Sequence, residues 1–136
     1  MYFSPDDGVA RRLVDLFRGA KHSVNFMAFS FTSDELADVL IDRQQAGVNI
    51  AGVMETSQVA SNTGSDYERF RDAGIDLRLD GNPAQMHHKV IIIDGQTLVT
   101  GSYNFSRSAE EKNDENLLII HSPEVAAAYQ EEFQRV

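Results

Sequence analysis

Cysteine is absent from the 136 residues. That excludes disulfide frameworks, thiolate zinc sites, iron–sulfur clusters and cysteine nucleophiles. Long apolar runs are missing as well. The longest, around Val90 to Ile93, is a few residues, against the roughly 20 needed to cross a bilayer. Met1 to Asp7 holds neither the basic nor the apolar region of a secretory signal. The expectation is a soluble chain whose compartment stays open, export after removal of a signal included. Basic residues are few: 12 Lys and Arg against 21 Asp and Glu, a net charge of −9. Such a surface repels nucleic acid and anionic membranes at long range, although a local basic pocket can still hold a phosphate.

What is present is ordinary globular composition, 42% hydrophobic and 24% charged, which argues against disorder and coiled coil. The length suits one domain spanning 1–136 and is too short for two. A domain of this size buries roughly 65–70% of the surface of its unfolded chain, enough for a core without staples. Helical and strand-like patterns alternate. Ser4, Pro5 and two acids read as a helix start, followed by Val9, Leu13, Leu16 and Phe17 at helical spacing. Ser23 to Phe31 reads as a buried strand, and Ser33 as the cap of a second helix ending near Gly47. Val48 to Met54 is a strand, Glu55 to Ser65 a polar loop, Tyr67 to Ala73 a short helix and Ile75 to Leu79 a strand. His87 to Asp94 and Thr97 to Thr100 flank an Asp94-Gly95 turn, a hairpin signal. Asn116 to Ile120 is a further strand, and Ser122-Pro123-Glu124 opens a terminal helix. The order starts βαβ-like and ends in a hairpin, so the expected fold is α/β, a mixed sheet with helices on both faces.

The chemistry concentrates in residues 86–116. Side chains alternate along a strand, so His87 and Lys89 share one face while His88 points the other way. Gly101-Ser102-Tyr103-Asn104 ends the adjacent strand, where glycine permits close backbone approach and Ser102 and Asn104 again share a face. An imidazole, an ammonium, a hydroxyl and an amide are thereby gathered around one point. Donors of that kind suit the non-bridging oxygens of a phosphoryl group. No cluster of carboxylates or histidines at ligand spacing accompanies them, so no metal and no cofactor is expected.

His87, Lys89, Asp94, Gly101, Ser102 and Asn104 resemble the H-x-K-x4-D-x6-G-S-x-N signature of the phospholipase D superfamily with every spacing kept. Six identities at about one chance in twenty each occur by accident on the order of 10⁻⁸ per starting point. Glu115 resembles the family's downstream glutamate, and Phe26 to Phe31 resembles its N-terminal half. The similarity is to the single-signature branch of nucleases and cardiolipin hydrolase-like enzymes, and it implies an α/β/α sandwich. It also implies a hydrolase that uses two histidines on opposite sides of phosphorus. One forms a phosphohistidine; the other protonates the leaving oxygen and then activates water.

No second copy of the signature exists: His22 is followed by Val24 where lysine is required, and His121 by Pro123. In-line displacement cannot be served by two residues of one strand. The expectation is therefore a homodimer with two His87 side chains meeting near the twofold axis. The resemblance implies His87 as nucleophile and acid/base, with Glu115 accepting a hydrogen bond from its far ring nitrogen. Lys89, Ser102 and Asn104 then bind the substrate phosphate. Asp94 is assigned a structural role in the hairpin turn, alongside Gly101.

Blander readings hold elsewhere. His22, His88 and His121 are surface groups. Phe26, Phe29 and Phe31 are core packing rather than a base-stacking platform. Arg107 and Lys112 are equally surface charges or a rim that steers an anionic chain. The function expected is a metal-independent phosphodiesterase acting on nucleic acid, because so short a chain leaves little room for an acyl-chain pocket. The alternatives are a phospholipase D-type lipid hydrolase, marked by an exposed apolar rim near Met86 and Tyr103, and a non-catalytic phosphate-binding module.

Overall fold

A computed structural model describes residues 1–61 and 64–136. The core is a seven-stranded mixed sheet of β1 (Tyr2–Ser4), β2 (Ser23–Ala28), β3 (Asn49–Met54), β4 (Asp76–Leu79), β5 (Lys89–Ile93), β6 (Thr97–Gly101) and β7 (Glu115–His121). Their spatial order is β1-β7-β6-β5-β2-β3-β4. β2, β3 and β4 run parallel, while β5, β6, β7 and β1 add antiparallel neighbours. The helices are α1 (Val9–Gly19), α2 (Asp34–Gln45), α3 (Thr56–Ser61), α4 (Tyr67–Asp72), α5 (Arg107–Glu111) and α6 (Pro123–Arg135).

The period-2 alternation of side chains assigns the two faces of the sheet. Ile91 and Ile93 of β5, with Val24 and Phe26 of β2, join Leu13 and Phe17 of α1 and Leu36 and Leu40 of α2. Val90 and Ile92, with Met27, turn the other way and meet Ala126 and Phe133 of α6. A strand covered on both faces has no solvated side, which is why Val90 to Ile93 reads as a continuous apolar run. Helices therefore flank both faces, as the alternating pattern predicts.

Two local expectations fail for identifiable reasons. Ser4 does not start a helix. Residues 2–4 pair with β7, Tyr2 opposite Leu117 and Ser4 opposite Glu115, and the Asp7 carboxylate accepts from the Phe3 N–H at 2.8 Å. The helix begins only after Gly8, whose φ of 63° suits glycine. The stretch after Met54 is not all loop. Glu55 accepts from Ser57 Oγ and from the Gln58 N–H, both at 2.7 Å, and Asp80 accepts from the Thr56 N–H at 2.9 Å. These partners fold 56–61 into α3; the remainder of that expectation falls partly on residues 62 and 63, outside the described residues. The other caps are as read: Ser33 accepts from the Leu36 N–H, and Ser122 from the Val125 N–H.

Candidate active site

Antiparallel neighbours place the start of one strand beside the end of the next. At one edge of the sheet the start of β7, the end of β6, the start of β5 and the end of β2 lie side by side, with Leu117 opposite Gly101 and Lys89 opposite Ala28. Every polar residue of the signature except Asp94 comes from this edge. β5 begins at Lys89 rather than His87, but the sheet contact extends back one residue through the Phe29 N–H, which donates to the His88 carbonyl at 2.9 Å.

His87 is exposed. Lys89 Nζ lies 3.2 Å from its Nδ1, 3.3 Å from its Nε2 and 3.0 Å from its carbonyl oxygen. Imidazole and ammonium thus form one unit, while His88 turns to α6 and meets Glu132 at 3.0 Å. Burial lowers the Lys89 pKa from its ordinary value, and the charge of Glu115 works in the opposite direction. Glu115 is the counter-charge of the pocket.

Among the described residues, Glu115 makes its hydrogen bonds to partners other than the expected His87 ring. One of its oxygens accepts from Ser102 Oγ and the other from Asn113 Nδ2 at 3.2 Å. Ser102 Oγ in turn accepts from the Asn116 backbone N–H at 3.0 Å and from its side-chain amide at 3.4 Å. A hydroxyl has one proton and two lone pairs, so this one is filled, and its proton goes to Glu115 rather than to an open phosphate position. Asn104 is half-buried, and its Oδ1 has no partner among the described residues.

Gly101 has φ of 152°, and a Cβ there would stand 2.2 Å from the Asn116 carbonyl oxygen. Only glycine lets β6 approach Asn116 so closely. Asp94 lies in the hairpin turn at φ 54°, its carboxylate accepting from the backbone N–H groups of Lys21, His22 and Ser23. Burial raises its pKa, and those three donors together with the His22 charge more than reverse the effect, leaving it below the usual value. Arg107 pairs with Glu111 across one turn of α5. His121 Nδ1 meets Thr97 Oγ1 at 3.1 Å. Met86 and Tyr103, the expected markers of an apolar rim, are both buried, the Tyr103 hydroxyl donating to Glu110. Among the described residues no three of His, Asp and Glu converge to hold a metal ion.

Sequence reasoning passed over Asn113 and Asn116, and it placed Phe29 in the core. None carries a local signal: their importance comes from strand order, which sets Asn116 against Ser102 and Phe29 against His87.

A family model described as "Cardiolipin synthase, PLD-like domain" matches residues 13–136. The chain belongs to this phospholipase D-like family. It is 35% identical over 125 residues to a protein named mitochondrial cardiolipin hydrolase from Chlamydomonas reinhardtii, covering 92% of this chain and 56% of that one. The chain spans about half to three fifths of the length of such curated relatives. The crystal structure of Nuc, a phospholipase D family member from Salmonella typhimurium, matches with a TM-score of 0.90 at 31% identity, covering 98% of this chain and 89% of that one. NucT from Helicobacter pylori matches with a TM-score of 0.91 at 23% identity, covering 98% and 91%, a likeness of fold.

Proposed function

We propose that the chain is a phosphodiesterase that cleaves nucleic acid without a metal, through a phosphohistidine, at a site completed by a second copy. The observation that carries this reading is the contact of His87 with Lys89, at an edge of the sheet that also presents Asn104 and Glu115. A His87 ring nitrogen attacks phosphorus, and the bond to the leaving oxygen breaks as the new N–P bond forms. Lys89 and the Asn104 amide hold the non-bridging oxygens, where charge develops. Ser102 and Asn113 hold Glu115, which balances the Lys89 charge. His87 of the second copy donates a proton to the leaving oxygen, then takes one from the water that attacks the phosphohistidine and releases phosphate monoester and free imidazole.

Nucleic acid is favoured over lipid because Met86 and Tyr103 are buried. The apolar rim expected of a lipid hydrolase is absent at those two residues. The lipid reading draws support from the relatives named cardiolipin hydrolase. Wild type and His87→Asn are compared on bis-p-nitrophenyl phosphate, single-stranded DNA, duplex DNA, RNA and cardiolipin vesicles, with and without EDTA. The expected result is EDTA-resistant cleavage of a nucleic acid that His87→Asn abolishes. Activity on cardiolipin alone selects the lipid reading, and a His87→Asn variant with wild-type turnover removes the nucleophile.

A further inference from the structure

Phe29 is the first residue after β2 and stands where β2 and β5 part. Its neighbours of the same type serve the core: Phe26 and Phe31 are buried, with ring centroids 5.4 Å apart. Phe29 is only half-buried and packs with neither hydrophobic cluster of the described residues. Its ring instead meets the His87 imidazole, the centroids 4.5 Å apart and the planes at 61°. The Lys89 ammonium lies over the same ring, 5.3 Å from its centroid. The Phe29 N–H bond to the His88 carbonyl fixes the backbone from which the ring projects.

We propose that Phe29 is a positioning residue for phosphoryl transfer: it braces the His87 ring in one orientation and holds the Lys89 ammonium beside it. This rests on the phosphodiesterase reading of the site. The physical need is plain. His87 precedes β5 and is exposed, Lys89 meets its ring at the nitrogens, and an attacking nitrogen is effective only when aimed at phosphorus. An edge-to-face contact restrains ring rotation, and a cation over the ring gains from the quadrupole, which holds the ammonium where it already donates to the His87 carbonyl. The lowered proton affinity of Lys89, for which burial is the largest cause, agrees with a ring that keeps water from one side of the ammonium.

The test compares Phe29→Ala, Phe29→Leu and Phe29→Tyr in the full chain, using steady-state turnover of bis-p-nitrophenyl phosphate and the carbon-bound ring proton resonances of His87. Phe29→Ala should lower kcat about tenfold, the upper range of an aromatic pair contact, with KM within about twofold. Phe29→Tyr should recover most of the loss. Phe29→Leu, which keeps apolar bulk, should not recover it, and only the Tyr variant should keep the ring-current displacement of the His87 resonances. Leu matching Tyr in kcat, or unchanged His87 resonances in Leu, overturns the proposal. A raised KM at constant kcat also overturns it, since Phe29 then contacts substrate. A wild type that cleaves no phosphodiester overturns the phosphodiesterase reading instead, and the proposal of a catalytic brace falls with it; the His87 resonances then report only whether the ring contact exists.

Discussion

The Ser102 hydroxyl donates to Glu115 and accepts from the Asn116 backbone N–H at 3.0 Å. Serine in this arrangement sets a carboxylate and offers no proton to a substrate oxygen. Ser102→Ala should therefore act through Glu115: kcat falls about tenfold while KM changes less than about threefold, the pattern of a lost transition-state interaction. Asn104→Ala should instead raise KM as well, because the proposed role of the amide is to hold a phosphate oxygen. Steady-state kinetics of both variants on one substrate decides this. A Ser102→Ala effect confined to KM puts the hydroxyl back on the phosphate.

Lys89 should cost stability for the sake of activity. A lysine whose folded pKa lies below its ordinary value of 10.5 binds fewer protons when folded. Stability then rises with pH through the window between the folded and unfolded values, and at neutral pH the penalty is present in full. Lys89→Met removes the charge and keeps the stem packed beside Phe29. The expected outcome is a variant without measurable turnover whose Tm at pH 7 equals or exceeds that of the wild type, with a flatter stability curve as the pH rises toward 10.5. Thermal melts across that range check it, and a clear loss of Tm at pH 7 shows that the Phe29 and His87 contacts of Lys89 outweigh its desolvation.

Much of the site was legible because strand alternation and a hairpin turn are local rules. His87 and Lys89 come together, His88 turns away, and Asp94-Gly95 closes the turn, all from spacing. The helix-flanked mixed sheet was legible for the same reason. What local rules could not supply was the neighbour of each strand. β1 owes its existence to β7, so Ser4, Pro5 and the two acids after them read as a helix start. Asn116 and Phe29 act on residues 14 and 58 positions away, pairings set by the strand order β7-β6-β5-β2. Ser102 and Asn113 both reach Glu115, contacts that no spacing in the signature encodes.

Asp94 belongs to the signature but works 72 residues back in the chain, tying the β5–β6 turn to the entry of β2. Its folded pKa is depressed, so its contribution is present above the unfolded carboxyl value and is lost as pH falls through the folded one. Asp94→Asn keeps a residue type that tolerates φ of 54° and one acceptor oxygen. It should cost about 1–2 kcal/mol at pH 7, the scale of weakened charge-assisted hydrogen bonds. That difference from wild type should shrink as the pH drops below the ordinary carboxyl value of 3.8, where the unfolded chain takes up the proton before the native carboxyl does. Asp94→Ala should cost more, since it loses every acceptor and must also hold the left-handed conformation. Urea unfolding at pH 7 and pH 3 tests both, and a gap between the wild type and Asp94→Asn that widens in acid contradicts the assignment.

A second copy must lend its His87 if leaving-group protonation and water activation are to occur on the face opposite the attack. Sedimentation should give twice the chain mass, but mass alone does not show a shared site. Co-refolding wild type with an equal amount of His87→Asn does. If each site draws one imidazole from each copy, every heterodimer is inactive and activity per total protein falls to about a quarter; if each chain works alone it falls to about a half. The heterodimer fraction is measured by native mass spectrometry on the same sample. A half-active mixture containing the expected heterodimers assigns both proton transfers to groups within one chain, and the twofold mechanism is then wrong.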